Sequence, residues 1–194
     1  AALITMYIIH LIILSVLGIN PVKYVKKTME VLIFAFTSRS SAGALPLNVQ
    51  TQTKRLGVPE GIANFSATFG LSIGQNGCAG IYPAMLAVMV APVANVEIDF
   101  QFVVTLIAVV IISSFGVAGV GGGATFASIL VLSTLNLPVA LAGVLISIEP
   151  LIDMGRTALN VNDSMLAGTG TARLTNHWDK KTFDSKDYGD LSAN

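Results

Sequence analysis

The stretch of this sequence richest in groups that do chemistry is EPLIDMGRTALNVNDS (149–164). Glu149, Asp153, Arg156, Asn160 and Asp163 or Ser164 recur every three or four residues, the spacing that lays side chains along one stripe of a helix. Carboxylates, a guanidinium and an amide on one stripe make a face suited to a zwitterion. Asp153 can receive an ammonium group, and Arg156 can grip a carboxylate with a bidentate fork. Asn160, one turn further, offers its amide to a second carboxylate. The competing use of the same residues is an internal ion pair, with Arg156 or Arg39 neutralising Asp153 for packing alone.

The surroundings exclude an ordinary solvated helix face. Of 194 residues, 53% are hydrophobic and only 11% charged, against roughly 25% charged in a typical globular domain. Residues 100–148 form 49 consecutive positions without Asp, Glu, Lys, Arg or His, and 61–96 form 36 more. Either run exceeds the roughly 20 apolar residues that cross a bilayer core, so the chain reads as all-α and polytopic. Each Asp or Arg at bilayer depth costs roughly 2.5 to 3.5 kcal/mol, and a cost of that size argues for a site. The net charge of zero implies no nucleic-acid partner, and a single cysteine supports neither a disulfide framework nor a CxxC metal site. The opening 1–20 lacks a basic start and a clear cleavage site, so it reads as a spanning helix and not a signal peptide. Because it begins without a leader, an in-frame extension encoding further apolar helices is expected upstream.

Charge placement supplies a topology. Apart from Arg39 and Arg156, nine Lys and Arg remain, and the linker PVANVEID (92–99) has none. The positive-inside rule puts the nine in the cytoplasm, the C-terminus among them, and the linker outside. The segment between Lys27 and Lys54 must then enter and leave on one side, and its 26 residues are too few for two crossings. A re-entrant hairpin over 21–57 follows, starting at Pro21 behind Asn20 and turning at the serine-rich SRSSAGALP (38–46). LSIGQNGCAGIY (71–82) interrupts a transmembrane helix over 58–98. A second hairpin spans 99–137 around the glycine-rich GVAGVGGGA (116–124), where a continuous helix would lose about 1 kcal/mol per Gly. A substrate-binding helix covers 138–170, and the mixed-charge 171–194 reads as a solvated, partly disordered cytoplasmic tail.

GVGGGAT (119–125) superficially resembles a dinucleotide-binding turn, which would make this an enzyme. That fingerprint needs an acidic residue about 20 positions on, and none occurs before Glu149. His10, mid-helix in an apolar run, reads as a hydrogen-bonded structural residue, and Cys78 as a small buried one.

Four motifs in order, SRSSAGALP, IGQNGCAG, GVAGVGGGA and DMGRTALNV, resemble the two re-entrant hairpins and last two helices of the dicarboxylate/amino acid:cation symporters, the glutamate transporter family. The resemblance covers nearly all of residues 1 to 172, and the wording of the motifs is most similar to the bacterial L-cystine uptake symporters. It implies that Ser40, Ser41, Val120, Gly121 and Gly122 bind and gate the substrate from two hairpin tips. Asp153 then holds the substrate amino group, Arg156 a distal carboxylate and Asn160 the α-carboxylate, with Thr157 beside them. Arg39 matches an arginine of prokaryotic members and serves as a charge partner. The resemblance also implies a homotrimer for a full-length protein in the bacterial cell membrane.

The sequence departs from the family where it places sodium-coordinating side chains, since Gly74, Asn76 and Ser164 stand there. No metal site is assigned with certainty and no cofactor is expected. The ion-coupling positions are Glu149, Asn76, Asp163 and Ser164, and the coupling cation is H+ or Na+. Glu149 and Asp153 one turn apart favour proton coupling through Glu149, with Asp163 as a relocated sodium site otherwise. The expected function is uptake of an amino acid, L-cystine foremost, by alternating access. A glutamate or dicarboxylate symporter, an uncoupled anion pore and a transport-dead remnant are the alternatives.

Overall fold

A computed structural model describes residues 1–117, 119, 122–140, 143 and 147–185. Nine α-helices and one π-helical segment are found among these, with no strand: α1 (Ala2–Val16), α2 (Pro21–Ser38), α3 (Leu45–Lys54), α4 (Glu60–Ser72), the π segment (Asn76–Ile81), α5 (Tyr82–Val93), α6 (Phe100–Ser114), α7 (Gly123–Thr134), α8 (Glu149–Leu174) and α9 (Lys180–Asp184).

Local chemistry sets most boundaries. The Asn20 side chain accepts from the Lys23 amide at 3.0 Å, and Pro21 takes the first helical position, so α2 starts where the sequence places it. Arg39, at φ 53°, ends that helix in the left-handed region. Asp99 caps α6 by accepting from the Phe102 amide at 2.7 Å. Between α4 and α5 the helix breaks at 73–75 and resumes as a π turn. Pro83 has no N–H to return to the preceding turn, and Gly77 and Gly80 add little local helix preference, so a regular α-turn is not held there.

α2 and α3 pack on each other across the turn 39–44, and α6 and α7 do the same. α8, 26 residues long, is surrounded by α1, α2, α3, α4 and the π segment. Its polar stripe from Glu149 to Ser164 therefore faces protein. One apolar core joins Leu14, Tyr24, Val31, Leu56 and Met165 of the α1–α3 and α8 region. A second joins Tyr82, Leu86, Phe102 and Leu132 of α5–α7. The outer surface is apolar instead, with Ile4, Ile8, Ile12 and Val16 of α1 and Ile107 and Ile112 of α6 exposed. Contiguous exposed apolar surface of this kind marks a protein or membrane contact. Taken through its break, Glu60–Val93 is the one run of 34 residues among those described that is long and apolar enough to cross a bilayer.

Three boundaries differ from expectation. The helix expected over 1–20 spans Ala2–Val16 and stops before Gly18, which adopts φ +71°. α8 runs on to Leu174, because the apolar and small residues that pack it continue past 170. The tail is the main correction. Residues 175–185 are a docked strap, not a solvated end. Trp178 donates through Nε1 to the Leu56 carbonyl at 2.8 Å, and the Asp179 amide donates to the Gly57 carbonyl at 2.8 Å. Phe183 is buried beneath the ammonium groups of Lys23 and Lys27, and Lys23 pairs with Asp184 at 2.6 Å. Residues 186–194 lie outside the described part of the chain.

Candidate functional site

Arg156 lies at the centre of the polar stripe and is 1% exposed. Its Nη2 stands 3.2 Å from both Glu149 Oε1 and Asp153 Oδ1. The guanidinium lies over the Tyr82 ring, 4.0 Å from its centroid, a position that favours a cation electrostatically. Thr125, in the first turn of α7, donates its hydroxyl to Glu149 Oε2. Nε and Nη1 of Arg156 are buried and have no hydrogen-bond partner among the described residues. Two buried carboxylates thus share one guanidinium that still has donors to offer. Such unmade hydrogen bonds to a buried charged group are costly and mark where an acceptor belongs.

One turn on, Asn160 meets the broken helix. Its Oδ1 accepts from the Gly77 amide at 2.7 Å, and its Nδ2 donates to Gln75 Oε1 at 2.9 Å and lies 3.1 Å from Cys78 Sγ. Gln75 in turn accepts from the Ser41 hydroxyl at 3.4 Å. The first turn and the glycine-rich turn also touch, as the Ala42 amide donates to the Gly119 carbonyl at 3.1 Å. A Cβ on Gly119 would sit 2.3 Å from Leu71 Cδ1 and 3.0 Å from Ser41 Cβ, so a side chain there would have to displace Leu71 and press on Ser41.

Asp153, Arg156 and Asn160 are thus brought together with Glu149 and with Ser41, while Thr157 is buried beside them. Ser40 turns away, its hydroxyl accepting from the Gly43 amide within the turn. Gly122 opens α7 at φ +87° with free space around it. Val120 and Gly121 lie outside the described residues. Arg39, expected as a charge partner, is exposed and makes no ion pair among the described residues. Its backbone is left-handed at the end of α2, and Arg156 alone neutralises the buried carboxylates Glu149 and Asp153. Gln75 and Tyr82 were not legible as site residues. Their only signal was membership of the motif that breaks the helix.

The ion-coupling positions divide between two places. Glu149 belongs to the Arg156 cluster. Asn76, Asp163 and Ser164 line a separate cavity of about 350 Å³ with Gly70, Gly74 and Ser66. His10 Nε2 pairs with Asp163 Oδ1 at 2.7 Å, and its Nδ1 lies 2.8 Å from Asn162 Nδ2. Asp163 Oδ2 is buried without a hydrogen-bond partner among the described residues. Ser164 accepts from Asn48 at 2.7 Å, and Asn48 accepts from Gln52 at 2.8 Å. His10 is hydrogen-bonded, as its place in the sequence suggested, but its attachment to an ion-coupling residue comes from the tertiary contact alone.

The sequence profile of the sodium:dicarboxylate symporter family matches residues 1–174. The chain belongs to that family. Among curated relatives, an L-cystine uptake protein TcyP from Bacillus licheniformis is 68% identical over 187 residues, covering 96% of this chain and 40% of its own. TcyP of Shouchella clausii is 68% identical over 184 residues, with 94% and 39% covered. TcyP of Bacillus cereus is 62% identical over 187 residues, with 96% and 40% covered. The chain therefore spans about two fifths of the length of these relatives. Family membership places this chain in a family of membrane transporters.

Proposed function

We propose that this chain is the substrate-carrying part of a secondary active symporter that takes up L-cystine by alternating access in the bacterial cell membrane. The observation that carries the proposal is Arg156, buried between two carboxylates with two of its donor positions unpartnered. An entering ammonium group takes over Asp153 and frees Arg156 from part of its internal pairing. The released guanidinium then donates to a carboxylate through its fork, while Asn160 Nδ2 exchanges its bond to Gln75 for the α-carboxylate and its Oδ1 still accepts from Gly77. Cystine has an amino acid at each end, so one head uses Asp153 and Asn160 while the other reaches Arg156. The names of the relatives support cystine over glutamate or a dicarboxylate.

In this proposal α2–α3 and α6–α7 are re-entrant hairpins over 21–57 and 99–137, whose turns meet at Ala42 and Gly119 beside the broken helix 58–98. The helix over 1–20 and the substrate helix over 138–170 complete the body, the tail from 171 is cytoplasmic, and the full-length protein is a homotrimer. The cation gradient is coupled through Glu149 and the cavity of Asn76, Asp163 and Ser164, with H+ favoured over Na+. Glu149 and Asp153 share one arginine while Asp163 pairs with His10, an excess of carboxylates that favours uptake of positive charge with the substrate. Uptake of radiolabelled L-cystine into vesicles bearing the full-length protein, with a pH gradient and choline replacing sodium, tests this. Accumulation driven by the pH gradient is expected. Uptake that needs sodium and ignores pH would shift the coupling to Na+, and absence of any cystine uptake would overturn the transport proposal.

A further inference from the structure

We propose that Cys78 is a thiol–disulfide exchange site within the amino-acid site, where it forms a mixed disulfide with the transported molecule. This rests on the proposal that the substrate is a disulfide. Cys78 lies in the π segment, is 7% exposed, and is the one cysteine of the chain. Its Sγ is 3.8 Å from Asp153 Oδ1 and 3.1 Å from Asn160 Nδ2. Those are the groups that hold the ammonium and the α-carboxylate of one cystine head, so the α-carbon between them lies beside the thiol. A single methylene separates that carbon from the substrate sulfur. Independently of the cysteine, Arg156 points to a ligand at this place. It is buried, shares Asp153 Oδ1 with Cys78, and keeps Nε and Nη1 unpartnered among the described residues. π turns widen the helix locally and recur at functional sites. Here the turn brings Cys78 to face α8.

Exchange proceeds by attack of a thiolate on one sulfur of the substrate. The Cys78 S–H bond is broken and its proton is taken up through Asp153 Oδ1. A bond forms between Cys78 Sγ and one half-cystine as the substrate S–S bond breaks. The other half leaves as a cysteine thiolate, which receives the proton. One disulfide is consumed and one is made, so no external oxidant or reductant enters. The retained half-cystine occupies Asp153 and Asn160 and stops turnover, and a small thiol reverses the step by attacking the mixed disulfide. Burial, and a carboxylate as the nearest acceptor, keep exchange slow relative to passage of the substrate.

The test exposes the full-length protein in vesicles to L-cystine without reductant and follows both uptake and the mass of the peptide containing Cys78. The expected result is a time-dependent loss of uptake that tracks a single cysteine adduct on Cys78, both reversed by reductant. L-cystathionine, which has the same two amino-acid heads joined by a thioether, should form no adduct and should protect Cys78 from cystine. Cys78→Ser should show neither the adduct nor the time-dependent loss. Sustained cystine uptake with Cys78 unmodified, or an adduct that cystathionine does not prevent, would overturn the inference alone. Absence of cystine uptake from the outset, with Cys78 unmodified, would overturn the transport proposal as well.

Discussion

Replacing Arg156 with Gln should do two separable things. The guanidinium is 1% exposed and stands 3.2 Å from both Glu149 and Asp153. Removing one partner of a buried pair leaves uncompensated charge and costs ~3–5 kcal/mol, a large share of the ~5–15 kcal/mol that holds a typical domain folded. The same change deletes the fork for the distal carboxylate of cystine, worth ~1–3 kcal/mol, or about 5- to 150-fold in preference over alanine or serine. The double variant Glu149→Gln/Arg156→Gln distinguishes the two effects. It retains the net single negative charge of the native trio, so thermal unfolding should recover much of the stability that the single variant loses. Cystine preference, measured by competition for equilibrium binding of radiolabelled cystine to the full-length protein, should stay lost in both. A double variant with native preference would refute the assignment of Arg156 to the distal carboxylate. A double variant no more stable than the single one would refute the electrostatic account of the cluster.

The strap of residues 175–185 offers a direct optical test, because Trp178 is the single tryptophan of the chain. Gly57 has φ +72°, and a Cβ there would lie 2.1 Å from the Asp179 carbonyl oxygen. Gly57→Ala should therefore undock the strap and shift Trp178 emission to the red, and an unchanged spectrum would exclude the contact. The hydrogen bond from Lys23 holds the Asp184 carboxyl below its ordinary range. A depressed folded value means that its contribution is present above the unfolded Asp value, ~3.9, and is lost as pH falls through the folded one. Trp178 emission should thus hold steady from neutral pH to about 4 and move only below it, with Asp184→Asn removing that acid step. His10→Ala leaves Asp163 without its 2.7 Å hydrogen-bond partner and should lower stability by ~1–3 kcal/mol. His10→Gln with Asp163→Asn should recover most of that loss, and equal unfolding temperatures for the two would show that charge is not what the pair supplies.

Features set by neighbouring residues were legible in the sequence alone. Asn20 before Pro21 starts α2, Asp99 starts α6, and the glycines around 74–80 break the helix, because caps and breaks are settled within one turn of chain. The stripe of Glu149, Asp153, Arg156 and Asn160 was equally legible, since helical periodicity places those residues on one face whatever opposes them. What opposes them is decided by packing between distant segments. Periodicity carries no sign that Gln75 holds Asn160, that Thr125 holds Glu149, or that His10 of α1 meets Asp163 of α8. Composition misled at the tail, where mixed charges read as solvation while Trp178 and Phe183 had a docking surface supplied by Leu56, Gly57, Lys23 and Lys27. Arg39 is the reverse case. Its charge suited the buried carboxylates, but a left-handed residue at the end of α2 sent it outward, leaving Arg156 to bind both of them, Asp153 one turn and Glu149 two turns back along its own helix.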